Sequence, residues 1–293
     1  MDAFPDGLDA SALDRRGYLA RHGLLGHPAL SLENLATVVP RLPPSDVFHS
    51  NGRLDLGNSL DSAHVDHRPA ERLEEAIVRL RDVQAYIMVR SPERDASFRE
   101  LHDALCAEMN AHLRDAGQQG AISDAKLYLF IASPNAVTPF HIDRYSTFLL
   151  QFRGTKEVTV FTPWDPEVVS DLDTERYVRH DTGRPGWRPE LASRGTTFTF
   201  RPGEALHIPF VAGHHVCNGA DDVSISMSVI FRTPETRTLT SALNFNRRLR
   251  RALGPLGNRV HPIRPGDRWS LAKGRAWDGL RRLAGRQPAP LAT

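Results

Sequence analysis

Thr138-Pro139-Phe140-His141-Ile142-Asp143-Arg144-Tyr145-Ser146-Thr147-Phe148-Leu149-Leu150-Gln151-Phe152-Arg153-Gly154-Thr155-Lys156 is the stretch on which the fold turns. Thr147–Phe152 and Lys156–Phe161 are β-rich runs, and Arg153-Gly154-Thr155 between them reads as the short Gly-containing turn of a hairpin. Residues i and i+2 of a strand point the same way, so His141 and Asp143 can hold one ion without bending the backbone. If the strand runs on from His141 without a bulge, Asp143, Tyr145 and Thr147 share its face. After the turn, Lys156, Val158 and Val160 form one face of the return strand, and Lys156 can look into the same cavity.

Further along, Thr196–Phe200, the turn Arg201-Pro202-Gly203-Glu204 and Ala205–Pro209 spell strand, turn, strand. A short connection, Phe210–Gly213, leads into His214-His215-Val216-Cys217, and Val223–Phe231 closes the series as a long alternating strand. Short strands with Gly/Pro turns across 125–232 give the expected class: mainly β with flanking helices, around a small barrel or jelly roll. Two histidines and a carboxylate on one face of an octahedral metal leave the opposite face open, which is the ligand set of non-heme Fe(II) oxygenases. His214 is the candidate third ligand. His215 is its first substitute, because neighbouring strand residues face oppositely.

A bare His-x-Asp triplet carries little weight, since thirteen histidines make roughly one such triplet expected by chance. A second copy, His64-Val65-Asp66, followed by His67, sits among polar residues before Arg68-Pro69-Ala70-Glu71, where Pro marks a helix start, and it reads as a loop and cap. Lys156 is more telling. The chain has three lysines, Lys126, Lys156 and Lys273, against thirty-four arginines, so a lysine shortly after His141 is informative. A compact ammonium can reach a buried carboxylate where a guanidinium fork needs more room.

Thr138–Asp143, Gln151–Lys156, Pro202–Pro209 and Gly213–Val216, taken in order, resemble the JmjC, or cupin-like, Fe(II)- and 2-oxoglutarate-dependent oxygenases. That group includes the asparaginyl hydroxylase acting on hypoxia-inducible factor and bacterial cupin-like relatives. The resemblance covers about 125–232 and implies a double-stranded β-helix. It implies that His141, Asp143 and His214 bind iron and are catalytic, that Lys156 pairs with the far carboxylate of 2-oxoglutarate, and that Thr138 donates a hydrogen bond to the same group. Where that hydroxylase has asparagines lining the cosubstrate pocket, this chain has Thr147 and Ile230, so Thr147 is a further candidate for cosubstrate binding. The implied activity is a dioxygenase using Fe(II), 2-oxoglutarate and O2 to hydroxylate a protein or peptide side chain or a small molecule. Asp143 occupies the position that a halogenase leaves open for halide. The alternatives are a cupin-like binding or regulatory protein without turnover, and a metal-dependent isomerase or hydrolase on the same barrel.

Around this core the expected organisation is a mostly helical region 1–120, a barrel 121–235 and a basic helical region 236–293. Ser31–Val39 opens with a capping-type serine; Ala70–Val83 and Ala96–Leu113 carry apolar residues at helical spacing, and Ala85–Val89 reads as a buried strand. Pro40–His67 and Arg179–Arg194 read as loops, the first a lid or a surface connection, the second with Trp187 as a substrate contact or an anchor. His207 reads as a structural or pocket-wall histidine. Residues 247–293 hold twelve Arg or Lys against two Asp, which leaves the rest of the chain acidic at a total net charge of +2. Such asymmetry can attract nucleic acid or an acidic membrane surface. The preferred reading is a pair of helices packed on the barrel or on a second subunit through Trp269, Ala272, Ala276, Leu280 and Leu283, with a homodimer as the partner. Gln287–Thr293 is expected to fray. Two cysteines give no disulfide framework, Met1–Asp6 lacks the basic start and apolar core of a signal peptide, and no apolar run reaches membrane-spanning length. The expected location is the cytoplasm.

Overall fold

The computed structural model describes residues 2–51, 54–58, 72–181 and 184–284. The second His-x-Asp triplet at 64–66 and the tail from 285 lie outside them.

Eleven strands appear among the described residues: β1 (Tyr18–Arg21), β2 (Val47–Asn51), β3 (Ala85–Arg90), β4 (Ser123–Ala132), β5 (Val137–His141), β6 (Ser146–Arg153), β7 (Lys156–Val160), β8 (Thr196–Phe200), β9 (Glu204–Ile208), β10 (His214–Asn218) and β11 (Ser224–Arg232). They form a seven-stranded sheet, β1-β9-β6-β11-β4-β3-β2, and a four-stranded sheet, β5-β10-β7-β8. The chain changes sheet between β4 and β5, β5 and β6, β6 and β7, β8 and β9, β9 and β10, and β10 and β11. That alternation between two antiparallel sheets is the jelly roll expected from the sequence.

It also corrects two local expectations. Thr147–Phe152 and Lys156–Phe161 do not pair as a hairpin, because β6 lies between β9 and β11 whereas β7 lies between β10 and β8. Arg153-Gly154-Thr155 is a corner between sheets: Gly154 has φ +70°, and a Cβ there would meet the Val223 carbonyl oxygen at 2.4 Å. Likewise the strand from His141 does not run on to Thr147, since Ile142–Tyr145 carries the chain from the small sheet to the large one.

Both faces of the large sheet are covered, and β6 shows how one strand serves two cores. Phe148 and Leu150 point outward into a core shared with the N-terminal segments, and Leu149 points inward among Val158, Phe200, Leu206, Ile208 and Val216. Helices α1 (Leu32–Val38), α2 (Leu73–Val78) and α3 (Ala96–Asp115) flank the outer core, and α3 closes it. Helix α3 is capped by Asp95, whose side chain accepts from Ser97 N, and buries Phe98, Leu101, Leu105 and Met109 at three- and four-residue spacing. Helix α1 is capped by Ser31 as expected. Helix α2 is shorter than the expected Ala70–Val83 among the described residues, because the chain leaves helical conformation at Arg79 to feed β3. The segment 40–67, read as a loop, contains β2, which pairs with β3 and extends the sheet.

Three further helices follow: α4 (Asp171–Val178), α5 (Pro234–Leu253) and α6 (Arg268–Leu283). Helix α5 starts with a Thr233/Thr236 capping box and buries Leu239, Ala242 and Leu243 against Phe210, Val211 and Ile263. Much of the basic charge here is matched in place. Arg250 binds Glu175 at 2.9 Å, Arg264 binds Asp171 at 2.5 Å, and Arg247 and Arg251 both reach Asp181. Helix α6 packs on α5 by the face opposite to the expected one. Ser270 and Gly274 are buried, and a Cβ on Gly274 would meet the Thr238 carbonyl oxygen at 2.5 Å, so closeness of backbones decides the contact. The apolar stripe is exposed, with Trp269 at 70%, Leu280 at 54% and Leu283 at 88%. No helix among the described residues is long and apolar enough to cross a membrane.

Candidate metal centre and oxoacid pocket

His141 ends β5 and His214 begins β10, and the two are direct cross-strand partners in the small sheet. Their ring centroids lie 4.0 Å apart. Asp143 follows on the crossing segment, and its carboxylate oxygen comes within 3.6 Å of His214 Nε2. One ligand atom from each of His141, Asp143 and His214 lies within 4.8 Å of the others, the only such group of three among the described residues.

The second nitrogen of each ring fixes its tautomer. His141 Nδ1 stands 2.7 Å from the Pro139 carbonyl oxygen and His214 Nδ1 3.0 Å from that of Ala212. A carbonyl oxygen only accepts, so each Nδ1 carries the hydrogen and each neutral ring keeps its Nε2 lone pair for the centre. Burial, then the neighbouring His214, holds the His141 pKa well below the usual histidine range, which keeps that lone pair available. Asp143 is held by its backbone: its carbonyl oxygen accepts from Val211 N at 3.2 Å. Val211 is a β-branched residue at φ +56°, a strained conformation that is kept beside the centre. The same loop is tied to the far N-terminal segment. Asp14 accepts from Phe210 N at 2.9 Å and from Ser146 Oγ at 2.8 Å, and its own N–H donates to His207 Nε2. Buried His207 thus supports the wall and stays away from His141, Asp143 and His214.

These residues open into a cavity of about 330 Å³. His141, Asp143, Tyr145 and Thr147 all line it despite the break in the strand, and Lys156, Thr138 and Ile230 line it too. Lys156 is 4% exposed and donates to Asn218 Oδ1 at 3.0 Å; burial alone brings its pKa down to about 7. No carboxylate pairs with it among the described residues. Thr138 Oγ1 lies 3.3 Å from the buried Tyr86 hydroxyl. Thr147 Oγ1 is buried without a hydrogen-bond partner. A buried cation without its anion and an orphaned hydroxyl are costly by themselves, and a bound carboxylate would satisfy both. The cavity therefore fits an oxoacid beside a metal.

Two roles went unread in the sequence. Tyr86 reaches Thr138 from β3 and Asn218 meets Lys156 from the end of β10; their partners lie fifty-two and sixty-two residues away, and no local pattern marks such pairs. His215 points out of the cavity towards Trp187 and Phe161, and Trp187 packs on Phe140 as an anchor.

The model of a cupin-like domain matches residues 59–237. This chain belongs to the cupin-like family. No curated protein matches its sequence. Among solved structures, this cupin-like chain is similar to YcfD, a ribosomal oxygenase from Escherichia coli, at 18% identity and a TM-score of 0.49 over 92% of this chain and 65% of that one. The form of YcfD with cobalt and 2-oxoglutarate is 20% identical, with a TM-score of 0.45 over 92% and 64%. A form with cobalt and succinic acid is 19% identical at the same TM-score and coverage. The chain thus spans just under two thirds of the length of these structures.

Proposed function

We propose that this cupin-like protein is a dioxygenase that uses 2-oxoglutarate as cosubstrate, Fe(II) as metal and O2 as oxidant, and hydroxylates a protein or peptide side chain or a small molecule. One observation carries the reading: three ligands that leave a metal face open share a cavity with a buried, anion-free lysine and an orphaned threonine hydroxyl. Iron with 2-oxoglutarate supplies, when bound, the oxidising power for attack on a C–H bond. The protein's own groups do the rest. His141 and His214 present Nε2 lone pairs and Asp143 a carboxylate. Lys156 neutralises the far carboxylate of the oxoacid, with the Thr138, Tyr86 and Thr147 hydroxyls beside it, and Asn218 steadies the ammonium. Leu149, Ile208 and Val216 line that end and keep it dry, which strengthens the charge pairing.

Residues 121–235 are the proposed catalytic unit, with 236–293 as a support and 1–120 as a support that also lends Phe48, Tyr86, Met88 and Arg90 to the cavity lining. The test is an anaerobic titration with Fe(II) and then 2-oxoglutarate. A visible charge-transfer band, lost in His214→Ala, is expected. Metal binding without that band would point instead to an isomerase or hydrolase, and no metal binding to a binding protein. The exposed stripe of Trp269, Leu280 and Leu283 favours a homodimer through the C-terminal helices. Light scattering on the purified chain checks it.

A further inference from the structure

Asp14 is a buried carboxylate outside the group formed by His141, Asp143 and His214. It is 3% exposed and sits at φ +55°, a left-handed conformation that Asp and Asn adopt more readily than other residues with a side chain. Its oxygens accept from two neutral donors, Phe210 N–H and the Ser146 hydroxyl, and burial raises its pKa. The guanidinium of neighbouring Arg15 is engaged by both oxygens of Glu235 at the start of α5, at 2.9 Å, which anchors the segment. A buried carboxylate facing neutral donors is costly, and an apolar side chain would pack there more cheaply. What the carboxylate adds is two acceptors at a fixed spacing, able to hold donors from two separate segments.

Both donors lead to the centre. Phe210 N–H, 2.9 Å from Asp14 Oδ1, opens a run of three residues. The next N–H, of Val211, donates to the Asp143 carbonyl oxygen at 3.2 Å, and the Ala212 carbonyl oxygen orients the His214 ring through Nδ1 at 3.0 Å. Ser146 Oγ, 2.8 Å from Asp14 Oδ2, begins β6 three residues after Asp143. One carboxylate therefore holds the far end of the crossing that bears Asp143 and the lead-in to His214. Val211, β-branched at φ +56°, keeps its strained conformation only while its surroundings fix it. The Asp14 backbone is seated separately, since its N–H donates to His207 Nε2 at 3.0 Å, and His207 Nδ1 donates to the Thr147 carbonyl oxygen at 3.0 Å.

We infer that Asp14 is a positioning residue for the metal centre: its carboxylate clamps the Phe210–Ala212 run to Ser146 and so sets how Asp143 and His214 face one ion. The inference rests on the metal-centre part of the oxygenase reading. The clamp itself belongs to the metal-free protein and can be tested there.

Two measurements on the full chain, purified without metal, test it: a Co(II) titration read by visible d–d absorption, and amide hydrogen exchange at Val211 before metal is added. Asp14→Gly deletes the carboxylate at a φ that glycine adopts freely. Asp14→Asn keeps one oxygen for Phe210 N–H, and its amide can donate to the Ser146 hydroxyl, which turns to accept. Asp14→Gly should weaken Co(II) binding by about tenfold to a hundredfold, shift the d–d bands and speed exchange at Val211. Asp14→Asn should stay within about threefold of the unaltered chain, with the bands in place. Leu35→Ala is the stability control: it opens a cavity in the outer core away from the site and should change neither affinity nor bands. Where Asp14→Gly does not fold, Ser146→Ala, which removes one of the two tethers, should show a smaller loss with the same direction of band shift. Unchanged affinity and bands in the variant that folds would overturn the inference, as would equal losses in Asp14→Asn and Asp14→Gly, or in Leu35→Ala. If the unaltered chain binds no Co(II), the metal reading fails and exchange alone judges the clamp: faster exchange at Val211 without the carboxylate supports it, and equal protection overturns it.

Discussion

The inner half of the cavity and its mouth are built from different material. Inside, His141, Thr138, Thr147, Lys156 and His214 stand on paired strands and are buried. At the mouth, Arg144, His180 and Arg184 come from the crossing segment and the connection after α4, and are less buried. Strand pairing holds atoms to the few tenths of an ångström that metal geometry demands, and connections can change without disturbing that frame. The division gives the barrel a rigid inner frame and a rim on connections that can vary without disturbing it.

The most severe way to break the comparison is to remove an inner ligand. His141→Ala, Asp143→Ala and His214→Ala should each abolish metal retention and turnover, read by metal analysis and succinate production. His215→Ala, which trims a ring facing Trp187, should keep both, as should His64→Ala and Asp66→Ala. An active His214→Ala alongside an inactive His215→Ala would move the third ligand by one residue.

Lys156→Ala is next in size. Loss of a charge-assisted contact to a carboxylate should raise the 2-oxoglutarate requirement by about tenfold to a hundredfold, with metal content unchanged. Lys156→Arg should recover only part, because the guanidinium is broader at a buried position. Succinate formed at varied 2-oxoglutarate concentration is the measurement. An unaltered requirement would assign the carboxylate to another cation.

The same lysine predicts a gentler pH effect. Burial lowers its folded pKa from 10.5 to about 7, so across that window the unfolded chain binds the extra proton. Stability of the metal- and oxoacid-free protein should therefore rise from pH 7 towards pH 10.5, and below pH 7, where both states bind the proton, the slope vanishes and the full cost of the buried charge remains. Urea midpoints along that range, compared with Lys156→Met, isolate the slope. A pairing carboxylate would restore the charge, so 2-oxoglutarate binding near pH 8.5 should take up a proton, seen as a buffer-dependent heat.

The smallest effect on the site sharpens the contrast from outside it. Trp269→Glu with Leu283→Glu alters exposed positions of α6, so stability should stay within about 0.5 kcal/mol and turnover should be unchanged. Light scattering should shift from dimer to monomer. A monomer before and after substitution would remove the self-association reading.

The strands around 138–231 were legible, and so was the grouping of His141, Asp143 and His214, because alternation and spacing are local properties. Partnership between strands was not. Arg153-Gly154-Thr155 has hairpin composition, and the packing of Gly154 on Val223 that makes it a corner lies sixty-nine residues downstream. Strand β1 is only four residues at a sheet edge, and β2 carries His49, Ser50 and Asn51, so neither has the apolar alternation that announces a strand. Helix α6 misled for a different reason: its apolar stripe faces outward because Ser270 and Gly274 let two backbones approach, and small residues give no hydrophobic signal. Among site residues, Lys156 stood out by the rarity of lysine.

The alternation between sheets also orders events in time. Tyr18 of β1 is in register with His207 of β9, and His141 of β5 with His214 of β10. Asp14 and His207, joined by a hydrogen bond, are 193 residues apart. Closing such long loops costs entropy before the contacts that reward it exist, which slows folding. On a chain made from its N-terminus, Asp14, His141 and Asp143 emerge long before β9 and β10, and β1 waits as an unpaired edge. The His141–Asp143–His214 triangle is thus among the last features to close, and nascent chains short of β10 hold two of its corners with nothing to complete them.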